Sequence, residues 1–230
     1  MHKIVDVSNN NGHVNFHAVK AAGAEAVWLK VTEGTDFVDP DYVANRARAR
    51  AAGLRVGGYH FGHARSHPGA EAAFFLAHLQ LEPGDLLPAL DLEQAGLDGQ
   101  PPAVVAAYGA GFLAAVRQQI DADPVLYTGS YVIAENGLER LPGPRWLASY
   151  GAPPKTYRWA AWQFTDGQPA YPGSILHLDT SRTPALALVT YKPRRLHKAA
   201  GHLRAAAARL RLDTRPSWAW RRFYGRRLTA

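Results

Sequence analysis

Eight apolar runs of strand length, alternating at first with helix-patterned stretches, limit this chain more than any other feature. The runs are residues 3–8 (KIVDVS), 26–34 (AVWLKVTEG), 54–63 (LRVGGYHFGH), 86–93 (LLPALDLE), 123–129 (DPVLYTG), 145–151 (RWLASYG), 157–165 (YRWAAWQFT) and 175–181 (ILHLDTS). Between the early ones lie NFHAVKAAG, DPDYVANRARARAAG, HPGAEAAFFLAHLQ and PPAVVAAYGAGFLAAVRQQI, each with apolar residues at helical spacing and three ending near a glycine suited to a C-cap. Strands joined through helices pair in parallel by right-handed crossovers. Five strand-helix units followed by three strands on short Pro and Gly linkers predict an irregular α/β barrel of the TIM kind. In such barrels the chemistry sits at the carboxyl ends of the strands.

Read to those ends, the runs give Asp6, Glu33, Tyr59, Asp91, Glu93, Tyr127, Tyr150, Gln163 and Asp179. In a closed barrel these side chains converge on one acidic, aromatic-lined groove, which suits a carbohydrate: hydroxyls take hydrogen bonds and C–H faces stack on rings. Asp91 and Glu93 are the sharpest pair, two positions apart in a run that is otherwise apolar up to Gln94. Carboxylates withdrawn from water need a partner or a shifted pKa. The pair is therefore an ion pair with a base such as Lys30, a metal site or a catalytic pair. Side chains alternate along a strand, so both would share one face about 6.5–7 Å apart, and mutual repulsion would keep one protonated as a general acid. Glu93, one carbon longer, is the expected acid, with its pKa above that of Asp91.

The other residues carry plainer readings beside the functional one. Asp6 and Asp179 could cap turns, and Glu33 could brace the glycine turn that follows it. His60 and His63 could be rim polar residues or substrate contacts, while Trp146, Trp159 and Trp162 are expected in the core.

Composition closes several routes. No cysteine is present, so disulfides and thiolate chemistry are excluded, and the ten histidines show no HExxH or similar spacing. Neither a metal nor another cofactor is expected. No run of about 18 apolar residues exists to span a membrane. MHKIVDVSNN lacks the apolar segment of a secretory signal, so synthesis in the cytoplasm and release by some other route are expected.

At this point the motifs resemble a known family. DVSNNNGHVNF, WLKVTEGTDFVDPDYVANRARARAAGLRVGGYHF, PALDLE, VLYTGSY, WLASYG, AWQFTDG and LDTS occur in the order found in glycoside hydrolase family 25, the Ch-type lysozymes. The resemblance covers about residues 3–183 and implies a flattened (β/α)5(β)3 barrel. It implies cleavage of peptidoglycan at the β-1,4 bond from N-acetylmuramic acid to N-acetylglucosamine. Carried over by motif, Glu93 resembles the general acid and Asp91 the residue that orients the substrate's 2-acetamido group as nucleophile. Asp6 and Asp179 match the other groove carboxylates, and Tyr59 matches the tyrosine of GGYHF. One departure is LDTSR, where Thr180, Ser181 and Arg182 replace the family's usual apolar residue and Asn after the last aspartate; Arg182 is read as a surface residue in preference to a ligand of a substrate carboxylate. A sugar-binding barrel without catalysis is the alternative.

The charge is divided between a barrel of residues 1–191 and a tail of residues 192–230. The tail holds twelve Lys and Arg against Asp213, a net +11, whereas the rest holds 14 basic and 18 acidic residues, a net −4. LHKAAGHLRAAAARLRL (196–212) reads as a basic amphipathic helix, and RPSWAWRRFYGRRL interleaves aromatics with arginines. Such a segment suits anionic wall polymers or a membrane surface, with nucleic acid a less favoured partner. The barrel with this tail, as a monomer, resembles a phage endolysin freed by a holin, with a bacterial enzyme exported by another route or a toxin-like effector as the alternatives.

Overall fold

The computed structural model describes residues 1–193. Nine strands form one sheet: β1 (His2–Val7), β2 (Ala24–Glu33), β3 (Phe37–Val38), β4 (Arg55–Phe61), β5 (Ala89–Asp91), β6 (Val125–Gly129), β7 (Arg145–Ala148), β8 (Ala161–Thr165) and β9 (Asp179–Thr183). Their order is β1-β9-β8-β7-β6-β5-β4-β2-β3, and a further β1–β2 pairing closes eight of them into a barrel with β3 appended. Helices α1 (Phe16–Ala21), α2 (Tyr42–Ala51), α3 (Pro68–His78), α4 (Pro102–Ile120) and α5 (Ser130–Glu135) follow β1, β3, β4, β5 and β6. The expected barrel of five strand-helix units and three strands is the one observed. The tail expected over 192–230 lies outside the described residues apart from Lys192 and Pro193.

Local chemistry sets the element ends. Asn15 caps α1 by accepting from the Ala18 N–H, and α3 and α4 begin on Pro68 and Pro102, where the missing N–H costs nothing. Gly23 and Gly53 leave α1 and α2 at φ of 98° and 76°, the left-handed turn that side chains resist.

The final strand departs from expectation in place and direction. Leu176 and His177 take φ of 51° and 62°, and Ile175 bridges back to Leu178, so the apolar run 175–178 is a tight turn. The strand starts only at Asp179 and runs antiparallel to both β8 and β1. Asp179 is thus the first residue of its strand. Reversal nevertheless puts it at the same barrel mouth, opposite Asp6.

Inside the barrel, Trp28 and Trp146 stack from opposite walls with ring centroids 4.2 Å apart. Their indole N–H groups donate to the Leu87 carbonyl (3.0 Å) and the Ser181 hydroxyl (2.8 Å), so neither indole donor is left unpaired. Gly57 makes room for this plug, since a Cβ there would lie 2.7 Å from Trp28 Cδ1. Outside, α3 packs against β2 and α4 against β5, and Phe75 and Phe112 meet the His60 ring of β4.

Candidate active site

The mouth is one ring of inward-facing residues standing on the tryptophan plug. Strand pairing sets Asp6 beside Trp28 and Asp179, Lys30 beside Tyr59, Asp91 beside Tyr127, and Ala148 beside Gln163. Alternation then gives Asp6, Lys30, Tyr59, Asp91, Tyr127, Gln163 and Asp179 a common face. Glu93 lies beyond β5, on an extended residue that enters the 3-10 turn Gln94–Leu97, and Tyr150 lies just past β7. Nearly every residue read from the strand ends therefore meets at this mouth.

Gln163 organises one half of it. Its Nε2 donates to the Asp6 carboxylate at 3.0 and 3.3 Å, and its Oε1 accepts from the hydroxyls of Tyr127 (2.8 Å) and Tyr150 (3.3 Å). Asp6 is thus no turn cap. Burial and the charge of Asp179 push its pKa well up, against the Gln163 hydrogen bond. Asp179 is pushed up to about 6 by burial, with Asp166 and Glu93 adding repulsion. Burial first, and then Asp91 and Asp6, make the hydroxyl of Tyr59 hard to ionise, so it stays a hydrogen-bond donor.

Asp91 and Glu93 form the other half. Asp91 is buried and its Oδ1 has no hydrogen-bond partner. Burial, and then repulsion from Glu93 and Asp6, lift its pKa well above the carboxylate range, with Lys30 opposing. Glu93 is less buried; its pKa is raised by burial and held back by Lys30. Burial pushes both carboxyls up, and Asp91, the shorter side chain, lies deeper in the barrel wall than Glu93. Lys30 does not neutralise the pair directly, since its ammonium bonds Glu33 and lies 5.5 and 5.1 Å from the ring centres of Phe37 and Phe61. The site can hold a proton on one of two adjacent carboxyls near neutral pH.

At the rim, Glu33 is bound by Lys30 and by His63 (3.2 Å), which fits the bracing reading of this residue. A cavity of about 310 Å³ opens beside Glu93, lined by Ser130, Tyr131, Ser149, Tyr150 and Tyr171. Tyr131 and Tyr171 were not foreseen, since Tyr131 stands in the first turn of α5 and Tyr171 in the loop after β8, both beyond the strand ends; Gly129 in YTGSY was the available signal. His60 is fully buried on the outer face, between Thr32 (2.8 Å) and Glu71 (2.7 Å), away from the mouth. Trp146 is core, Trp162 packs on the outer face with Phe164, and Trp159 is half-buried beside it. Arg182 lies over the Phe164 and Trp162 rings at 4.2 and 5.9 Å, on the opposite strand face from Asp179. It therefore belongs to the outer surface. Among the described residues, no group of three or more His, Asp or Glu is placed to hold a metal ion.

Comparison with known proteins gives the same picture. The chain is 37% identical over 73 residues to Lysozyme M1 of Streptomyces globisporus, covering 32% of this chain and 25% of that protein. It is 39% identical over 98 residues to an N,O-diacetylmuramidase of Chalaropsis sp, covering 40% and 46%. The matched stretches thus span between a quarter and just under half of these curated relatives. In structure it is similar to a bacterial lysozyme from Streptomyces coelicolor, with a TM-score of 0.70 and 26% identity over 82% of this chain and 96% of that one. The sequence profile of Glycosyl hydrolases family 25 matches residues 5–172, well over half of the chain, and the chain belongs to that family.

Proposed function

We propose that the protein is a peptidoglycan hydrolase, a lysozyme that cleaves the β-1,4 bond between N-acetylmuramic acid and N-acetylglucosamine. The observation that carries this reading is Asp91: a buried carboxyl with an unpartnered oxygen, beside Glu93, which lines a tyrosine-walled groove. A sugar-binding module has no use for such a pair, because an unsatisfied buried carboxyl costs stability without adding affinity.

The deep burial of Asp91 fits the proposed roles. In the free site burial favours the neutral form of both carboxyls, and the pair shares a proton. A substrate acetamido N–H donating to Asp91 Oδ1 stabilises the ionised form, so Asp91 releases its proton and its charge then raises Glu93. Binding thus leaves Glu93 protonated as the sugar arrives. Glu93 gives that proton to the glycosidic oxygen as the bond to C1 breaks, while the carbonyl oxygen of the acetamido group, whose N–H donates to Asp91, bonds to C1. Water then attacks C1, opens the ring so formed and returns a proton to Glu93. The carboxyl separation does not decide the stereochemistry where the substrate supplies its own nucleophile. Gln163 keeps Asp6 in place, and Tyr59, Tyr127, Tyr150 and Asp179 offer hydrogen bonds to the sugar hydroxyls.

Reducing-end release from purified peptidoglycan by wild type and Glu93→Gln tests this reading. Wild type is expected to cleave and the variant to lose about 10²-fold or more, the scale of a missing general acid. Equal rates overturn the assignment of the acid, and binding without cleavage by the wild type favours the sugar-binding module.

The tail of residues 192–230 holds the enzyme to anionic wall polymers or to a membrane surface, and the site of action is the bacterial cell wall. No helix of the described residues is long and apolar enough to cross a membrane. Truncation after Tyr191 is expected to lower lysis of cells in a salt-dependent way and to spare a small soluble substrate. Equal loss on both substrates refutes the anchor.

A further inference from the structure

His63 lies outside the ring of carboxylates and is not absorbed by the chemistry above, yet its contacts are unusual. Its Nε2 meets Glu33 Oε1 and its Nδ1 meets Asp98 Oδ1, both at 3.2 Å. Carboxylates only accept, so both ring nitrogens must donate, and only the imidazolium has two N–H groups. The two carboxylates come from separate walls of the mouth. Glu33 ends β2 and holds Lys30, the cation that opposes the pKa rise of Asp91 and Glu93. Asp98 ends the 3-10 turn that Glu93 begins.

The backbone reinforces the link. From the connection between β4 and α3, the Gly62 N–H donates to the Asp91 carbonyl (2.9 Å) and the Ala64 N–H to the Gly96 carbonyl (2.8 Å). The Gly96 N–H in turn donates to the carbonyl of Glu93 at 2.8 Å. His63 sits at the middle of this zipper, with its own N–H on Glu71 Oε2 at 3.2 Å.

We propose that His63 is a positioning residue: as an imidazolium gripping Glu33 and Asp98 together, it fixes the turn that carries Glu93 against the Lys30 end of β2. This rests on the role given to Glu93 above. The groups facing the ring are Glu33 and Lys30 from β2, Asp98 from the turn, Glu71 from α3, and His60 and Arg65 from its own segment, with Arg65 Nε 3.9 Å from Asp98. Burial lowers the His63 pKa, but Glu33 and Asp98 prevail and raise it. The clamp therefore holds below the raised pKa and releases as pH climbs through it.

Peptidoglycan hydrolysis by wild type, His63→Gln and Asp98→Asn between about pH 5 and pH 8 tests the clamp, alongside proton NMR titration of the His63 ring in the full chain. His63→Gln keeps the polarity but cannot donate to both carboxylates. Its kcat is expected to fall about tenfold at the acid end with KM little changed, the cost of a slightly misplaced reacting group. The deficit should close toward unity at the alkaline end, where wild type has lost its own clamp. The double variant should lose no more than either single one. A deficit constant with pH, or losses that multiply, overturns the proposal. The ring should titrate above about 6.5 and fall in Glu33→Gln and Asp98→Asn; a midpoint at or below that value also overturns it. If wild type leaves peptidoglycan intact, the proposed function fails, and the titration still decides whether His63 clamps the two carboxylates.

Discussion

Replacing Gln163 by leucine keeps the volume of the side chain and removes its amide, so the change isolates one hydrogen-bonding centre. The amide donates to Asp6 at 3.0 and 3.3 Å and accepts from Tyr127 at 2.8 Å and Tyr150 at 3.3 Å. Tyr150 is partly exposed and finds water; Tyr127 is buried and does not. A buried hydroxyl left unpaired costs about 1–3 kcal/mol, and the lost bond to a carboxylate about 1.5–3 when it is ionised. Because the Asp6 pKa is already raised, the lower end of that second range applies near neutral pH. The expected destabilisation is about 2–4 kcal/mol, which for a chain of this size lowers Tm by roughly 4–16 °C.

The pH dependence gives a sharper check. The Gln163 bond lowers the Asp6 pKa, so removing it raises that pKa further. A raised carboxyl pKa makes the fold lose stability as pH rises from the unfolded value toward the folded one. The gap between wild type and Gln163→Leu should therefore stay level while Asp6 is protonated in both folded proteins, widen as pH rises through the raised pKa of wild-type Asp6, and level off once Asp6 is ionised in both. Urea melts followed by tryptophan fluorescence at several pH values measure it. A Tm change under about 2 °C, or a gap that does not vary with pH, would show that Gln163 does not hold Asp6 in solution.

Asp179, with its pKa pushed up to about 6, follows the same sign. Wild type should lose stability between about pH 4 and pH 6 and Asp179→Asn should lose less, leaving the variant about 1–2 kcal/mol more stable at pH 7 after allowance for partial exposure, though poorer in hydrolysis. Chemical denaturation at both ends of that range decides it; a variant less stable than wild type at pH 7 refutes the repulsion. Gly96→Ala is expected to cost about 3 kcal/mol, because the new Cβ would lie 2.1 Å from the Gly62 carbonyl oxygen across the zipper. A Tm within about 2 °C of wild type would mean that this approach is loose in solution.

Much of this was legible from the chain. The period of apolar residues fixed the number of barrel strands, and reading each to its end recovered Asp6, Tyr59, Asp91, Tyr127 and Gln163 on one face. Asp179 was found by its place in a run whose first half is a turn, because a left-handed pair at Leu176 and His177 leaves no mark in an apolar pattern. β3 is two residues long, too short for any period. Relative depth was not legible either: Asp91 and Glu93 look alike on paper, and only the barrel wall decides which is farther from water. Lys30 was foreseen as a partner for Asp91, but Glu33 three residues on holds it instead. Tyr131 on α5 and Tyr171 in the loop after β8 depend on how the chain leaves each strand, which local patterns do not encode.

The reversed last strand has a consequence for how the molecule faces its target. Because β9 runs from the mouth back to the level of His2, the chain leaves the barrel at the opposite end. There Thr190 accepts from Arg55 at the start of β4 (2.6 Å), and the Tyr191 hydroxyl donates to the carbonyl of Ile120 at the foot of α4 (3.1 Å). Tyr191 thus carries the chain out at the end of the barrel away from Asp91 and Glu93. An anchor on that side would hold the barrel from the rear without competing for the mouth.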